Sequence, residues 1–146
     1  MADVRSQTGY KEAKDRIQSV VRDAIKNLRA GNVPLKDLEY LVEIHEDPVE
    51  KMKEKVLHQP YQCAIQLIDS GKPVHTGDTV KFAKVKPFNY QGRPFTVKPT
   101  EQVRDFHEVN VEDYVRNLRT ALNQTFKPMN INFNEEEGKV TLTDFI

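Results

Sequence analysis

Residues 58–85 read HQPYQCAIQLIDSGKPVHTGDTVKFAKV, and this stretch decides the fold class. Pro60 suits a helix start, where its missing N–H costs nothing. Cys63, Ala64, Leu67 and Ile68 then recur on one helical face, and Ser70-Gly71 ends the run. His75-Thr-Gly-Asp78 has turn composition. Thr79–Val85 sets Val80, Phe82 and Val85 against Lys81 and Lys84, an imperfect alternation that predicts a strand. Helix, turn and strand in direct succession point to a small mixed domain.

Upstream, residues 1–9 are polar and are expected to be loose. Ile17, Val20, Val21, Ala24, Ile25 and Leu28 form a single helical stripe over Asp15–Leu28. Gly31 stops this helix and Pro34 keeps it from resuming. Leu38, Tyr40, Val42 and Ile44 alternate, which favours an extended segment over a short helix. Asp47-Pro48 reads as an N-cap and first helical residue, opening a helix to about Val56.

Downstream, Pro87–Pro99 carries Gly92 and reads as a loop or a ragged hairpin around Phe95-Thr96-Val97. Asn110 caps the last helix, with Tyr114, Val115, Leu118, Ala121 and Leu122 as its buried stripe. Arg116 and Arg119 form its wet side, and Pro128 lies past its end. The expected fold class is α+β and mostly helical: amphipathic helices on a small antiparallel sheet or hairpin, with an extended C-terminal tail. The expected domains are a flexible N-terminus at 1–14, a body at 15–128 and a tail at 129–146.

The chain has 146 residues, 38% hydrophobic and 30% charged, enough for one domain with a modest core. Formal net charge is zero, but it is unevenly spread. Residues 51–100 carry nine Lys/Arg and three acids, 9 − 3 = +6, so the remainder carries −6. A basic middle can hold a phosphate backbone while the other faces stay off it. Cys63 is the single cysteine, so no disulfide forms within the chain, which suits a reducing cytoplasm. The opening MADVRSQTGYKEAK has no apolar run, so no signal peptide is expected, and no stretch is long and apolar enough to span a membrane.

No Gly-rich phosphate loop, HExxH or CxxC is present. His45, His58, His75 and His107 lack ligand spacing, so no metal site is expected. Cys63 reads as core packing and Glu135–Glu137 as a solvated run. No pair of carboxylates suggests a two-metal centre.

The ordered set His58–Gly71, Val74, Gly77-Asp78-Thr-Val80 and Phe82-Ala-Lys84-Val85 resembles the thumb of archaeal family B DNA polymerases. That region has a Pro-aromatic-x-x-Ala helix, a glycine, a Gly-Asp-x-Ile/Val turn and a strand. Asn32-Val33-Pro34-Leu-Lys36-Asp-Leu38 is similar to its entry after a first helix. Val109-Asn-Val111-Glu-Asp-Tyr114-Val-x-Asn117-Leu118 is similar to its later Asp-x-x-Tyr helix. The resemblance covers about residues 15–146. The family's catalytic palm strand, YxDTD, its DxxSLYP segment and its fingers helix have no counterpart here.

The resemblance implies a non-catalytic thumb subunit of a split polymerase, located in the cytoplasm with the nucleoid. Its partners would be a catalytic chain of the family, which would carry the aspartates and the Mg2+, and primer–template DNA. No cofactor is expected on this chain. The residues expected at the DNA are Lys53, Lys55, His58, Gln59, Tyr61 and Gln62 around the Pro60 helix start, then Lys81, Lys84, Lys86 and Arg93. Lys139, Leu142, Phe145 and Ile146 resemble a sliding-clamp tether, Gln-x-x-aliphatic-x-x-aromatic-aromatic, with lysine and isoleucine replacing two of its residues; a last strand tucked into the domain is the alternative for this segment. A stand-alone accessory protein that binds a polymerase or clamp is the competing reading. An enzyme with an unrecognised small-molecule site is a third.

Overall fold

The computed structural model describes residues 4–133, in two compact units. The tether residues Lys139, Leu142, Phe145 and Ile146 lie outside the described residues, as does the acidic run Glu135–Glu137.

The first unit joins residues 4–32 to 112–133. Helix α1 spans Val4–Ala30 and helix α4 spans Val111–Phe126. Near the start of α1 the Tyr10 hydroxyl donates to the Met129 carbonyl, just past the end of α4. At the other end, Arg29 forks onto Glu112 with bonds of 3.1 and 2.9 Å. The helices therefore run antiparallel, fastened at both ends. Asn130, at φ 57°, turns the chain back on α4. Asparagine tolerates this left-handed geometry better than most residues. Ile131 and Phe133 are then buried, with Phe133 edge-on to Phe126 at 5.8 Å and its N–H donating to Asn123 Oδ1 at 2.7 Å.

Both helices begin or bury differently from the sequence reading. α1 starts at Val4, ahead of its apolar stripe, and Tyr10 anchors that extra length. The stripe itself is narrower than its periodicity suggests. Ile25 and Leu28 are buried, but Val20 is 67% exposed and Ala24 is exposed. On α4, Tyr114 and Val115 are buried, Ala121 is exposed and Arg119 is half-buried.

The second unit, residues 33–111, has a three-stranded antiparallel sheet in the order β1-β2-β3. These strands are Tyr40–Glu43, Thr79–Tyr90 and Arg93–Pro99. β1 is extended, as its alternation suggests, and pairs Tyr40 with Phe82 and Val42 with Val80. Helix α3, Gln59–Asp69, lies between a short helix α2, Pro48–Lys51, and β2 in the chain. It packs on the sheet through Cys63 and Ala64, against Ile44, Val80, Phe82 and Val97. A second cluster joins Leu57 and Ile65 to Phe95.

Two further features have local causes. α2 stops at Lys51 instead of continuing to Val56. Arg93 reaches across from β3 and takes the carbonyls of Met52, Glu54 and Lys55. The stretch Pro87–Pro99, read as a loop or a ragged hairpin, takes the second form, and Pro87 sits in a bulge within β2, where the ladder shifts register between Lys84 and Phe88. Proline cannot donate to a ladder and is tolerated at such a bulge. The strand resumes to Tyr90 and turns through Gln91 and Gly92, both at positive φ. Phe95 then stacks on Tyr90 at 4.7 Å and meets Phe88 edge-on at 6.1 Å.

Candidate nucleic-acid interface

The start of α3 is held by side chains of its own unit. Gln62 is buried, yet both ends of its amide are used: Nε2 donates to the Leu57 carbonyl at 2.9 Å and Oε1 accepts from the Thr96 N–H at 2.8 Å. One turn later Gln66 donates to the Val97 carbonyl at 2.8 Å. Gln59 adds a bond to the Thr96 hydroxyl at 3.1 Å. Three glutamines on one side of α3 thus stitch it to the main chain and a side chain of β3. Gln62 and Gln59 turn to the protein, which makes them positioning groups.

The N-terminus of α3 offers fewer donors than a generic helix start. Pro60 has no N–H, and the Tyr61 and Gln62 N–H groups both donate to the His58 carbonyl. His58 is the N-cap residue, exposed, with no side-chain capping bond. Tyr61 faces inward at its hydroxyl, which accepts from the Glu46 N–H at 3.1 Å. The face of its ring lies 5.5 Å from the Lys51 ammonium. Charge at this end therefore comes from the loop just before α3, whose course Arg93 fixes. Lys53 and Lys55 are exposed there beside His58.

The basic middle is largely matched by neighbouring acids. Lys51 pairs with Glu46 and Glu54, and those carboxylates, Glu46 foremost, raise its pKa. Lys53 pairs with Glu50 at 3.0 Å, Lys72 with Glu101, and Lys98 with Glu108. Most of these acids lie just outside the window of residues 51–100, so the +6 read from sequence is smaller in space. Lys55, Lys81 and Lys86 are exposed and have no ion pair among the described residues.

Lys81 and Lys84 leave opposite faces of β2, because the ladder is regular from Thr79 to Lys84 and the bulge comes later. Lys84 stands 5.1 Å over the Tyr40 ring, on the face shared with Val97. Lys81 pairs across the strands with Leu41, which is 62% exposed. It also overlooks an open groove of about 690 Å³ with Leu67, Val74 and Val80 in its wall. The ten expected contact residues therefore form no single cluster. Lys53, Lys55 and His58 share one loop, which Arg93 braces from β3, while Lys81 and Lys84 diverge.

Chemistry elsewhere is structural. Cys63 is fully buried, and burial, with a smaller contribution from Glu101, pushes its thiol up to about 12. Tyr90 is raised to about 12 by burial and by its bond to Asp69. Glu108 is held below the usual carboxylate range, first by Lys98 and then by the Arg104 and Asp105 N–H groups. Among the described residues no three His, Cys, Asp or Glu side chains converge as metal ligands, and no helix is long and apolar enough to cross a membrane.

No family model matches the chain. DNA polymerase 1 of Sulfolobus acidocaldarius is 26% identical over 145 residues, which is 99% of this chain and 16% of that protein. The family B DNA polymerase of Pyrobaculum calidifontis superposes on 93% of this chain with a TM-score of 0.63 at 22% identity, again over 16% of its own length. The chain thus spans about a sixth of the relatives it matches. Over nearly its whole length it is similar to one segment of archaeal DNA polymerases, of family B in the Pyrobaculum case.

Proposed function

We propose that this chain is a non-catalytic thumb of a family B DNA polymerase, gripping primer–template duplex through its phosphate backbone while the catalytic aspartates and Mg2+ reside on another chain. The observation that carries this reading is the match of 99% of the chain to a polymerase segment. Support also comes from the exposed, unpaired Lys55, Lys81 and Lys86 on a sheet and loop made rigid by Arg93 and Gln62. Lysine contacts to phosphate carry no sequence information, which suits an enzyme that must traverse any sequence. The grip would therefore raise the length of product made per binding event without adding chemistry.

The test is primer extension by a catalytic chain lacking this segment, with and without the present chain. Longer products and tighter primer–template binding on addition are expected. Unchanged extension, together with failure of the two chains to co-purify, would overturn the reading and favour an accessory protein on a shared fold.

A further inference from the structure

The two edges of the sheet are unlike. At β3 the outer main chain is taken up by α3: the Val97 carbonyl accepts from Gln66 and the Thr96 N–H donates to Gln62, both at 2.8 Å. β1, the other edge, is open on its outer side among the described residues. The Ile44 N–H donates to the Asp78 carbonyl at 2.8 Å, just past the ladder that pairs Val42 with Val80 and Tyr40 with Phe82. Main-chain groups alternate sides along a strand, so Tyr40, Val42 and Ile44 aim at β2, and Leu41 and Glu43 aim outward. The outward N–H and C=O groups of Leu41 and Glu43 have no hydrogen-bond partner among the described residues. The side chains of Leu41 and Glu43 are exposed, and Val42 is half-buried. Such an edge is a template for another strand.

We propose that β1 pairs with β1 of a second copy of this chain, antiparallel about a two-fold axis at Val42, joining two sheets into one. Charge selects the register. An axis at Glu43 would set that carboxylate against its own copy, and an axis at Leu41 would set Glu43 against Glu39. Like charges directly opposite are destabilising. With the axis at Val42, Leu41 lies opposite Glu43 of the second copy, and the outward groups of both residues meet in about four main-chain bonds. Val42 closes on its own copy in a non-hydrogen-bonded pair, where side chains approach most closely. Lys81 flanks Leu41 on β2, exposed and without an ion pair among the described residues. It then stands two strands, about 10 Å, from Glu43 of the second copy, within reach of two long side chains. The edge is thus self-complementary in hydrogen bonding, apolar contact and charge. A strand this short buries less than the about 1,200 Å² of stable complexes, so the pairing is weak and concentration-dependent. It stands independently of the polymerase reading; where both hold, Lys81 is withdrawn from phosphate in the pair.

The experiment is sedimentation of the full chain from about 1 μM to about 1 mM, over which a single copy should give way to a dimer. Leu41→Pro removes one outward donor and leaves the ladder to β2 whole, so it should hold the chain as a single copy with its circular dichroism unchanged. Glu43→Lys and Lys81→Glu should each weaken association about tenfold, because the two-fold axis doubles every like-charge contact. Mixed in equal amounts, these two variants should recover the dimer, since each then meets the opposite charge in the other. Both sit at exposed positions, so they decide the matter even if Leu41→Pro fails to fold. A chain that stays single at about 1 mM overturns the proposal, as does a dimer that survives Leu41→Pro in a folded protein. A mixture that associates no better than its components overturns it too. So does slow hydrogen exchange at the Leu41 and Glu43 amides at about 1 μM, which would mean that the chain's own residues 139–146 or another segment hold the edge. None of these readouts uses DNA or a catalytic chain, so failure here leaves the proposed function standing.

Discussion

Gln62 shows how a single side chain sets the candidate site. It is polar, buried and bonded at both ends, so replacing it with leucine would strand the Leu57 carbonyl and the Thr96 N–H. An unsatisfied buried backbone group costs about 1–3 kcal/mol, so Gln62→Leu should lose about 2–4 kcal/mol in urea denaturation. Gln59→Ala, at a half-buried bond, should lose less than about 1.5 kcal/mol. A Gln62→Leu protein as stable as the parent would show that these bonds do not anchor α3. The sequence marks Gln62 only as a polar residue near a helix start. Its inward turn depends on the β3 main chain arriving from more than thirty positions away, which no local pattern encodes. Cys63, by contrast, was readable as core from spacing alone. Its thiol, buried and raised to about 12, should resist alkylation at pH 8 until the protein is unfolded. Rapid labelling of the native chain would contradict that burial.

At the scale of elements, punctuation in the sequence was informative and boundaries were less so. Asp47 caps α2 through its side chain as its type suggests, and Pro60 and Gly71 bracket α3. The early end of α2 was hidden, because Arg93 lies in a different strand. The hairpin around Gln91-Gly92 was one of two forms the sequence allowed, and Pro87 kept the loop alternative open because only the fold shows a bulge absorbing it. The capping turn at Phe106–Glu108 carries a pH dependence. Glu108 accepts from Lys98 and from the Arg104 and Asp105 N–H groups, and Asp105 accepts from the His107 N–H. Both carboxyl pKa values are lowered, Asp105 chiefly by that His107 bond. Lowered folded-state values mean that the stabilisation is complete above the unfolded carboxyl range and is lost as pH falls through the depressed values. Glu108→Gln should therefore lower Tm above about pH 6, where the stabilisation is complete, and flatten the acid side of the Tm-against-pH curve, the two curves converging at low pH. An unchanged acid limb would show that this turn does not contribute.

The whole molecule carries zero formal charge, so its attraction to DNA must come from local arrangement rather than from a long-range field. Pairing of Lys51, Lys53, Lys72 and Lys98 with acids reduces the basic middle further and concentrates the remaining potential on Lys55, Lys81 and Lys86. A window of positive charge is legible in the sequence, but which lysines are already spent is not, since Glu46, Glu50, Glu101 and Glu108 lie beyond that window. A screened Debye length of about 8 Å at physiological salt makes this distinction matter, because only cations near the phosphates contribute. Replacing Lys55, Lys81 and Lys86 with glutamine should lower the salt slope of duplex binding by up to about 2.7, at about 0.9 for each contact. Replacing the acid-paired Lys72 and Lys98 should change it by less than about 0.5. Affinity should be equal for duplexes of unrelated sequence, since backbone contacts carry no base information. If the paired lysines proved as costly to remove as the unpaired ones, ion pairing would not be what selects the grip. Overall basicity would then govern binding, and the arrangement of the sheet and loop would have no part in it.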